Sequence, residues 1–323
     1  MGEMKKKILT AANIIVSIAL VALLLYFVGF EDILEGISGI NLFLLFLSIV
    51  FAFLVDLIMS YRIKVLLEDM KEKMKFIDIL KSHFVGMLAA DFTPARTGYF
   101  ASAVAMKYNY KIPSEKAMVS IFGPQIFDFA VKLIFGTIGI FYIAVYLINI
   151  EEWWLLLIGI IAMTMIIGTM LLVLFSRRFV LLFSFLEKIP FVSRLYAMTV
   201  RMQQNAKTVI SKAGVIMQLV GLGWILKTIA VYLVAKSVGI TLDIGYPEIL
   251  FYFFLQPLVT MLEFAPTTTI AGLGLSEGAN ILLFSLFGVE PAAAMLFALL
   301  ARFKTTLLHL PAVPEALKIY QVR

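Results

Sequence analysis

The sequence predicts an all-α polytopic membrane protein. It would have six full transmembrane helices and two re-entrant helical hairpins in an inverted-topology repeat. Three observations predict this. The 323 residues are 62% hydrophobic and only 15% charged, far from a soluble composition. Apolar runs of about 20 residues, the length needed to cross a bilayer, recur along the chain. Two further apolar stretches, 76–106 and 249–288, are interrupted by proline, glycine and carboxylate. Lipid tolerates such backbone only where protein or a water-filled cavity surrounds it.

Taken in order, the full spans read as 8–29, 41–60, 117–147, 153–175, 214–238 and 291–310. Met1–Lys7 and the run from Ile8 resemble a signal peptide only superficially. The run is longer than such an apolar core and lacks a small-residue cleavage site, so it reads as a retained span. Loop charge gives the sidedness. The segments Lys5–Lys7, 61–82, 107–116, 176–212 and the C-terminal Lys318 and Arg323 hold 21 of the 27 Lys and Arg. The connections 30–40, 148–152, 239–248 and 289–290 hold none, and carry acids such as Glu31, Asp32, Glu151 and Glu290. The positive-inside rule places both termini in the cytoplasm of a cell-membrane protein.

The halves then correspond. Residues 1–150 read as two spans, an inward-opening hairpin (76–106) and a span. Residues 151–323 read as a span, an amphipathic cytoplasmic helix (190–212), a span, an outward-opening hairpin (249–288) and a span. An inverted repeat of this kind brings its interrupted segments together near the bilayer midplane. Hairpins made of two full crossings would give the same sidedness, so both forms stay open. In 190–212, Phe191, Leu195, Met198, Met202, Ala206 and Val209 share helical spacing, as expected for a helix resting on the cytoplasmic leaflet. Trp153 and Trp154 fit an interfacial aromatic belt.

Several function classes are excluded. There is no cysteine, and the two histidines, His83 and His309, do not make a metal cluster. No nucleophile elbow, phosphate-binding glycine loop or zinc-protease helix is present, so no enzyme constellation, cofactor or metal is expected. A formal charge of +6 is explained by basic cytoplasmic loops rather than by nucleic acid.

Eleven charges fall inside spans or hairpins: Asp56, Asp91, Asp128, Glu263, Glu277, Arg96, Lys132, Lys227, Lys236, Arg302 and Lys304. Each costs roughly 2.5–3.5 kcal/mol at a span centre, so together and unpaired they would cost on the order of 30 kcal/mol. They must pair, snorkel or face water. Lys236 lies near a span end and can snorkel, and Asp56 is close to Arg62. Asp128 and Lys132 are four apart and can pair within one helix.

The hairpin charges are the candidate site. In the first hairpin these are Asp91, the breaker Pro94, Arg96, Gly98 and Tyr99; in the second, Glu263, the breaker Pro266, Gly272, Gly274 and Glu277. Arg96 stands where free backbone N–H groups are expected, a setting that suits phosphate, and it can equally pair with Asp91 or Glu277. Glu277 begins an apolar helix, where it can cap or answer Arg96, Arg302 or Lys304. Asp91, Glu263, Asp128 and Lys132 are candidates for charge balance or proton coupling.

The runs Thr93-Pro94-Ala95-Arg96-Thr97-Gly98 and Ala271-Gly272-Leu273-Gly274-Leu275-Ser276-Glu277-Gly278-Ala279 resemble the two signatures of the lysylphosphatidylglycerol synthase transmembrane region, a flippase-like membrane domain family. The resemblance covers nearly the whole chain and implies lipid handling: movement of a modified phospholipid between leaflets, or a role in lipid-linked glycan assembly. Tyr99 stands where an acidic residue commonly follows the glycine, and Ser276 where a basic residue often precedes the glutamate. The expected function is a lipid flippase for an anionic or phosphate-bearing lipid, with Arg96 and Arg302 or Lys304 holding the phosphate. A secondary transporter of a small anionic solute and a non-catalytic partner of a lipid-modifying enzyme or glycosyltransferase stay open, as does homo-oligomerisation.

Overall fold

The computed structural model describes residues 19–143, 153–185, 193–254, 257, 269 and 273–321 of the 323. All regular structure among them is helical. The chain runs through α1 (Ala19–Val28), α2 (Phe30–Ser38), α3 (Leu42–Asp69) and α4 (Phe76–Asp91). A 3₁₀ segment, Pro94–Phe100, leads into α5 (Ala101–Tyr110). Next come α6 (Ser114–Ile143), α7 (Trp153–Phe175), α8 (Arg177–Leu182), α9 (Ser193–Asn205), α10 (Lys207–Ser211) and α11 (Ala213–Ser237). The last elements are α12 (248–254), α13 (Leu275–Ser285), α14 (Pro291–His309), a 3₁₀ turn (Leu310–Ala312) and α15 (Val313–Gln321).

Four described helices are long and apolar enough to cross a membrane: Leu42–Asp69, Ser114–Gly139, Ala213–Ser237 and Pro291–Ile319. They contain most or all of the spans read at 41–60, 117–147, 214–238 and 291–310. α7 is a further helix of 23 residues without a charged side chain. The interrupted segment 76–106 is helix, 3₁₀ segment and helix. Residues 8–18 of the first span and most of 255–272 lie outside the described residues, and with them Glu263, Pro266 and Gly272.

Local chemistry sets the helix ends. Asn41 caps α3, its Oδ1 accepting from the amides of Phe43 and Leu44 at 3.1 Å each. Ser176 caps α8 through the Phe179 amide at 3.2 Å. Gly29 divides α1 from α2 with φ +96°, a left-handed conformation that L side chains rarely adopt. Pro291 opens α14 at its first turn, where its missing N–H is not needed.

The chain divides into two compact units. The first comprises 1–55, 87–99 and 224–310; the second comprises 56–86, 100–223 and 311–323. The first has an apolar core in which Phe251, Tyr252, Phe284 and Phe297 meet residues of α11 and α14. Phe284 and Phe297 lie 5.0 Å apart, edge to face, and Phe251 meets Phe287 at 4.7 Å. α13 lies along α14, and α14 also meets α2.

The second unit is organised by α6, against which α5, α7, α9 and α10 pack. The region 190–212 is two helices rather than one. Met202, Ala206 and Val209 from its expected apolar face are buried against protein. Gln203 closes the end of α7 by donating to the carbonyls of Val173 at 2.9 Å and Ser176 at 3.1 Å. Buried Glu315 of α15 accepts from Asn109 Nδ2 and the Tyr110 hydroxyl, each at 2.7 Å. Burial, and then the Glu315 carboxylate, push the Tyr110 phenol well above its ordinary range.

One expectation for the charged residues is corrected in this unit. Asp128 does not pair with Lys132: its Oδ1 accepts from Arg62 Nη1 at 2.9 Å. Lys132 instead places its ammonium 5.0 Å from the Phe129 ring centre. A guanidinium on a neighbouring helix reaches the carboxylate with better geometry than the next turn of the same helix allows. Asp56, which shares α3 with Arg62, is 4% exposed, with Oδ1 3.1 Å from His83 Nε2. Arg62→Met is expected to destabilise the protein by about 3 kcal/mol, because it strands a largely buried carboxylate. The double variant Arg62→Met/Asp128→Leu is expected to lose less than that single variant. Thermal unfolding in detergent, followed by helical circular dichroism, measures both.

Candidate functional site

The first signature is held by a threonine. Thr93 Oγ1 donates to the Ala89 carbonyl at 3.0 Å and accepts from the Gly98 amide at 2.6 Å. One hydroxyl thereby ties the end of α4 to the 3₁₀ segment. Gly98 is required because a Cβ there would lie 2.2 Å from the Ala89 carbonyl oxygen, a backbone atom that cannot swing aside. Between these anchors Arg96 takes a left-handed backbone, φ +53°, which costs a non-glycine residue about 1 kcal/mol. Two amides of the stretch expected to carry free N–H groups are taken: the Arg96 amide donates to the Thr93 carbonyl at 3.2 Å, and the Gly98 amide is used by the Thr93 hydroxyl.

Arg96 Nη2 lies 3.2 Å from Asp91 Oδ1. The other carboxylate oxygen, Oδ2, is 3.3 Å from His309 Nδ1 and accepts from Thr306 Oγ1 at 3.4 Å. Asp91 is thus partnered from its own loop and from α14. Its side chain is 11% exposed and that of Arg96 22%.

The second signature is held by a glutamate. Gly274 takes φ +85° just before α13, and a Cβ there would strike Leu20 at 2.5 Å. Glu277, 1% exposed, reaches back with Oε2 to accept from the Gly274 amide at 2.6 Å and from the Ser276 hydroxyl at 3.1 Å. This is one arm of a capping box, and it puts the anion at the positive end of the helix. Glu277 Oε1 accepts from Arg302 Nε at 2.8 Å, and Arg302 Nη2 donates to Ser276 Oγ at 2.7 Å. Buried Asn280 fixes the same turn by donating to the Ser276 carbonyl at 2.7 Å.

One helix face therefore serves both signatures. Arg302, Thr306 and His309 are spaced i, i+4, i+7 on α14, the spacing of residues that share a face. Arg302 meets the second signature; Thr306 and His309 meet the first. At 1.5 Å per residue the two contacts are separated by about 6–10 Å along the axis. The described contacts pair Arg96 with Asp91 and Glu277 with Arg302. Lys304 is elsewhere: it is 4% exposed and donates to the Ala230 carbonyl at 3.0 Å. Lys236 does not snorkel alone but contacts Glu248 and donates to the Ile240 carbonyl at 3.1 Å. Tyr99 is half-buried. Asp128 and Lys132 belong to the second unit. Among the described residues no three His, Asp or Glu side chains converge as a metal site.

Sequence reasoning missed Thr93, Thr306 and His309. Thr306 and His309 carried a signal, since both follow Arg302 at helical spacing in an otherwise apolar run. A family model described as the lysylphosphatidylglycerol synthase TM region matches residues 11–312. No curated protein matches the chain significantly.

Gly98→Ala is expected to destabilise by about 1–3 kcal/mol through the clash with Ala89. Thr93→Val is expected to cost about 1–3 kcal/mol for the two backbone groups it leaves unpaired, with Thr93→Ser largely restoring stability. Thermal unfolding of the purified variants checks the series.

Proposed function

The chain belongs to the lysylphosphatidylglycerol synthase TM-region family, and on that premise we propose that it is a lipid transporter carrying an anionic, phosphate-bearing lipid between leaflets without catalysing a reaction. The membrane assignment and a role in lipid metabolism or transport follow from the family and the apolar helices. The finer reading is ours. It has six spans and two interrupted hairpins in an inverted repeat, both termini cytoplasmic, in the cell membrane, acting on a lipid whose head group carries phosphate and is open to modification or glycan linkage.

The observation that carries this reading is the redundancy of partners around each carboxylate. Asp91 has His309 and Thr306 as well as Arg96. Glu277 has the Gly274 amide and Ser276 as well as Arg302. Each arginine can therefore turn to a ligand without stranding a buried anion, the situation that makes breaking such a pair expensive elsewhere. His309 donates to Asp91 in its Nδ1–H tautomer, which keeps the carboxylate satisfied while Arg96 is away.

Guanidinium groups suit this work. They stay charged, and they present paired N–H donors that match phosphate oxygens. Both arginine side chains are about one-fifth exposed, at 22% and 23%, whereas Glu277 is 1% exposed. The cations thus face outward from acids that stay inside. Among the described residues two acids and two bases cancel, so an arriving phosphate meets donors rather than a deep electrostatic trap. Weak binding of this kind lets a head group pass while its acyl chains stay in lipid.

Vesicles containing the full chain and fluorescent phosphatidylglycerol test the reading. Wild type is expected to bring inner-leaflet lipid within reach of an external quencher. Arg96→Ala and Arg302→Ala are each expected to slow this by about tenfold or more, the worth of a charge-assisted hydrogen bond. Lipid movement equal to that of protein-free vesicles refutes the proposal. Uptake of inorganic phosphate without lipid movement would replace it with solute transport.

A further inference from the structure

We infer that the first unit holds a second anion site, built on Lys304 between α11 and α14, with phosphate as its ligand chemistry. Lys304 and Arg302 are two residues apart on α14, which at 100° per residue places them on opposite faces. Arg302 serves α13; Lys304 faces α11 through the Ala230 carbonyl. The site is therefore separate from the one proposed for lipid movement.

Lys304 is the observation that points to a ligand. Its side chain is buried, and an ammonium carries three N–H donors. One donor goes to the Ala230 carbonyl at 3.0 Å. No carboxylate among the described residues lies within ion-pair distance of Lys304, unlike Arg62, Arg96, Lys236 and Arg302. A buried cation without a counter-charge is the costly arrangement that membrane proteins avoid unless function requires it.

A second orphan lies on α11. Trp224 is buried, and its indole Nε1–H has no acceptor among the described residues. An unpaired buried donor calls for a missing partner. Lys227, on the same helix, places its Nζ 5.6 Å from the Trp224 ring centre. α11 thus carries an unpaired indole N–H, and α14 brings a buried ammonium against the same helix at Ala230. A phosphate group would supply the missing counter-charge for Lys304 and oxygens for its remaining donors and the indole. The Arg96 and Arg302 positions have carboxylates that neutralise them and release a ligand. Lys304 has none, so this site retains its anion. The phosphate can come from a lipid head group or from solution.

The chain has three tryptophans, and Trp153→Phe/Trp154→Phe leaves Trp224 as the sole reporter. The full chain with these changes, in neutral detergent, is titrated with inorganic phosphate. It is then titrated with dioctanoyl phosphatidylglycerol, and with dioctanoylglycerol as the phosphate-free control. A saturable change in Trp224 emission is expected with at least one phosphate probe. Response to inorganic phosphate assigns a soluble anion; response to phosphatidylglycerol alone assigns a head group. Lys304→Gln is expected to raise the half-saturating concentration about tenfold or more, the loss of a charge-assisted contact. Lys304→Arg is expected to stay within a few-fold. No saturable response from either phosphate probe overturns the inference, as does an equal response to dioctanoylglycerol. A folded Lys304→Gln that binds as wild type also overturns it. If Lys304→Gln does not fold, the wild-type titration and Lys304→Arg still decide. A protein that responds here yet moves no lipid refutes only the transport reading.

Discussion

The ion pair between Glu277 and Arg302 is the contact on which the candidate site depends. Glu277 is almost wholly buried, and it is the side chain that turns Gly274 into the start of α13. Arg302 answers it from α14 at 2.8 Å and holds Ser276 as well. An anion this deep in an apolar body needs several donors, and Arg302 adds a charged one to the Gly274 amide and the Ser276 hydroxyl. Once Arg302 is fixed, the helical repeat fixes Thr306 and His309 on the same face, and these two receive Asp91 from the first signature. Two segments more than 170 residues apart are thereby organised by one helix.

The same constraint explains the conformations nearby. Arg96 accepts an unfavourable left-handed backbone because Thr93 and Gly98 determine the turn around it. Ser276 gains a specific task here. Its hydroxyl bridges Glu277 and Arg302.

Much of the fold was legible in the sequence because span length and apolar composition are properties of single segments. The described residues of the apolar runs read at 41–60, 117–147, 153–175, 214–238 and 291–310 fall almost entirely on long helices. Proline, glycine and carboxylate at 91–98 marked a real interruption between α4 and α5. What was hidden depends on register between helices. Asp128 and Lys132 have ideal spacing on one helix, yet Asp128 goes to Arg62 because an arginine 66 positions away arrives at 2.9 Å. Asp56 and His83 meet for the same reason, as do Asp91 and His309. Periodicity says which residues share a face, but not which face of another helix they will meet.

The convergence of both signatures on one face of α14 can be measured directly, because the chain has no native cysteine. Cysteines at Asp91 and Thr306, treated in native membranes with a short bifunctional thiol reagent, report their proximity. A control pair at Asp91 and Lys304 samples the other face of α14. The account predicts efficient cross-linking of the first pair and little of the second. Failure of the first pair, or equal cross-linking of both, would contradict it.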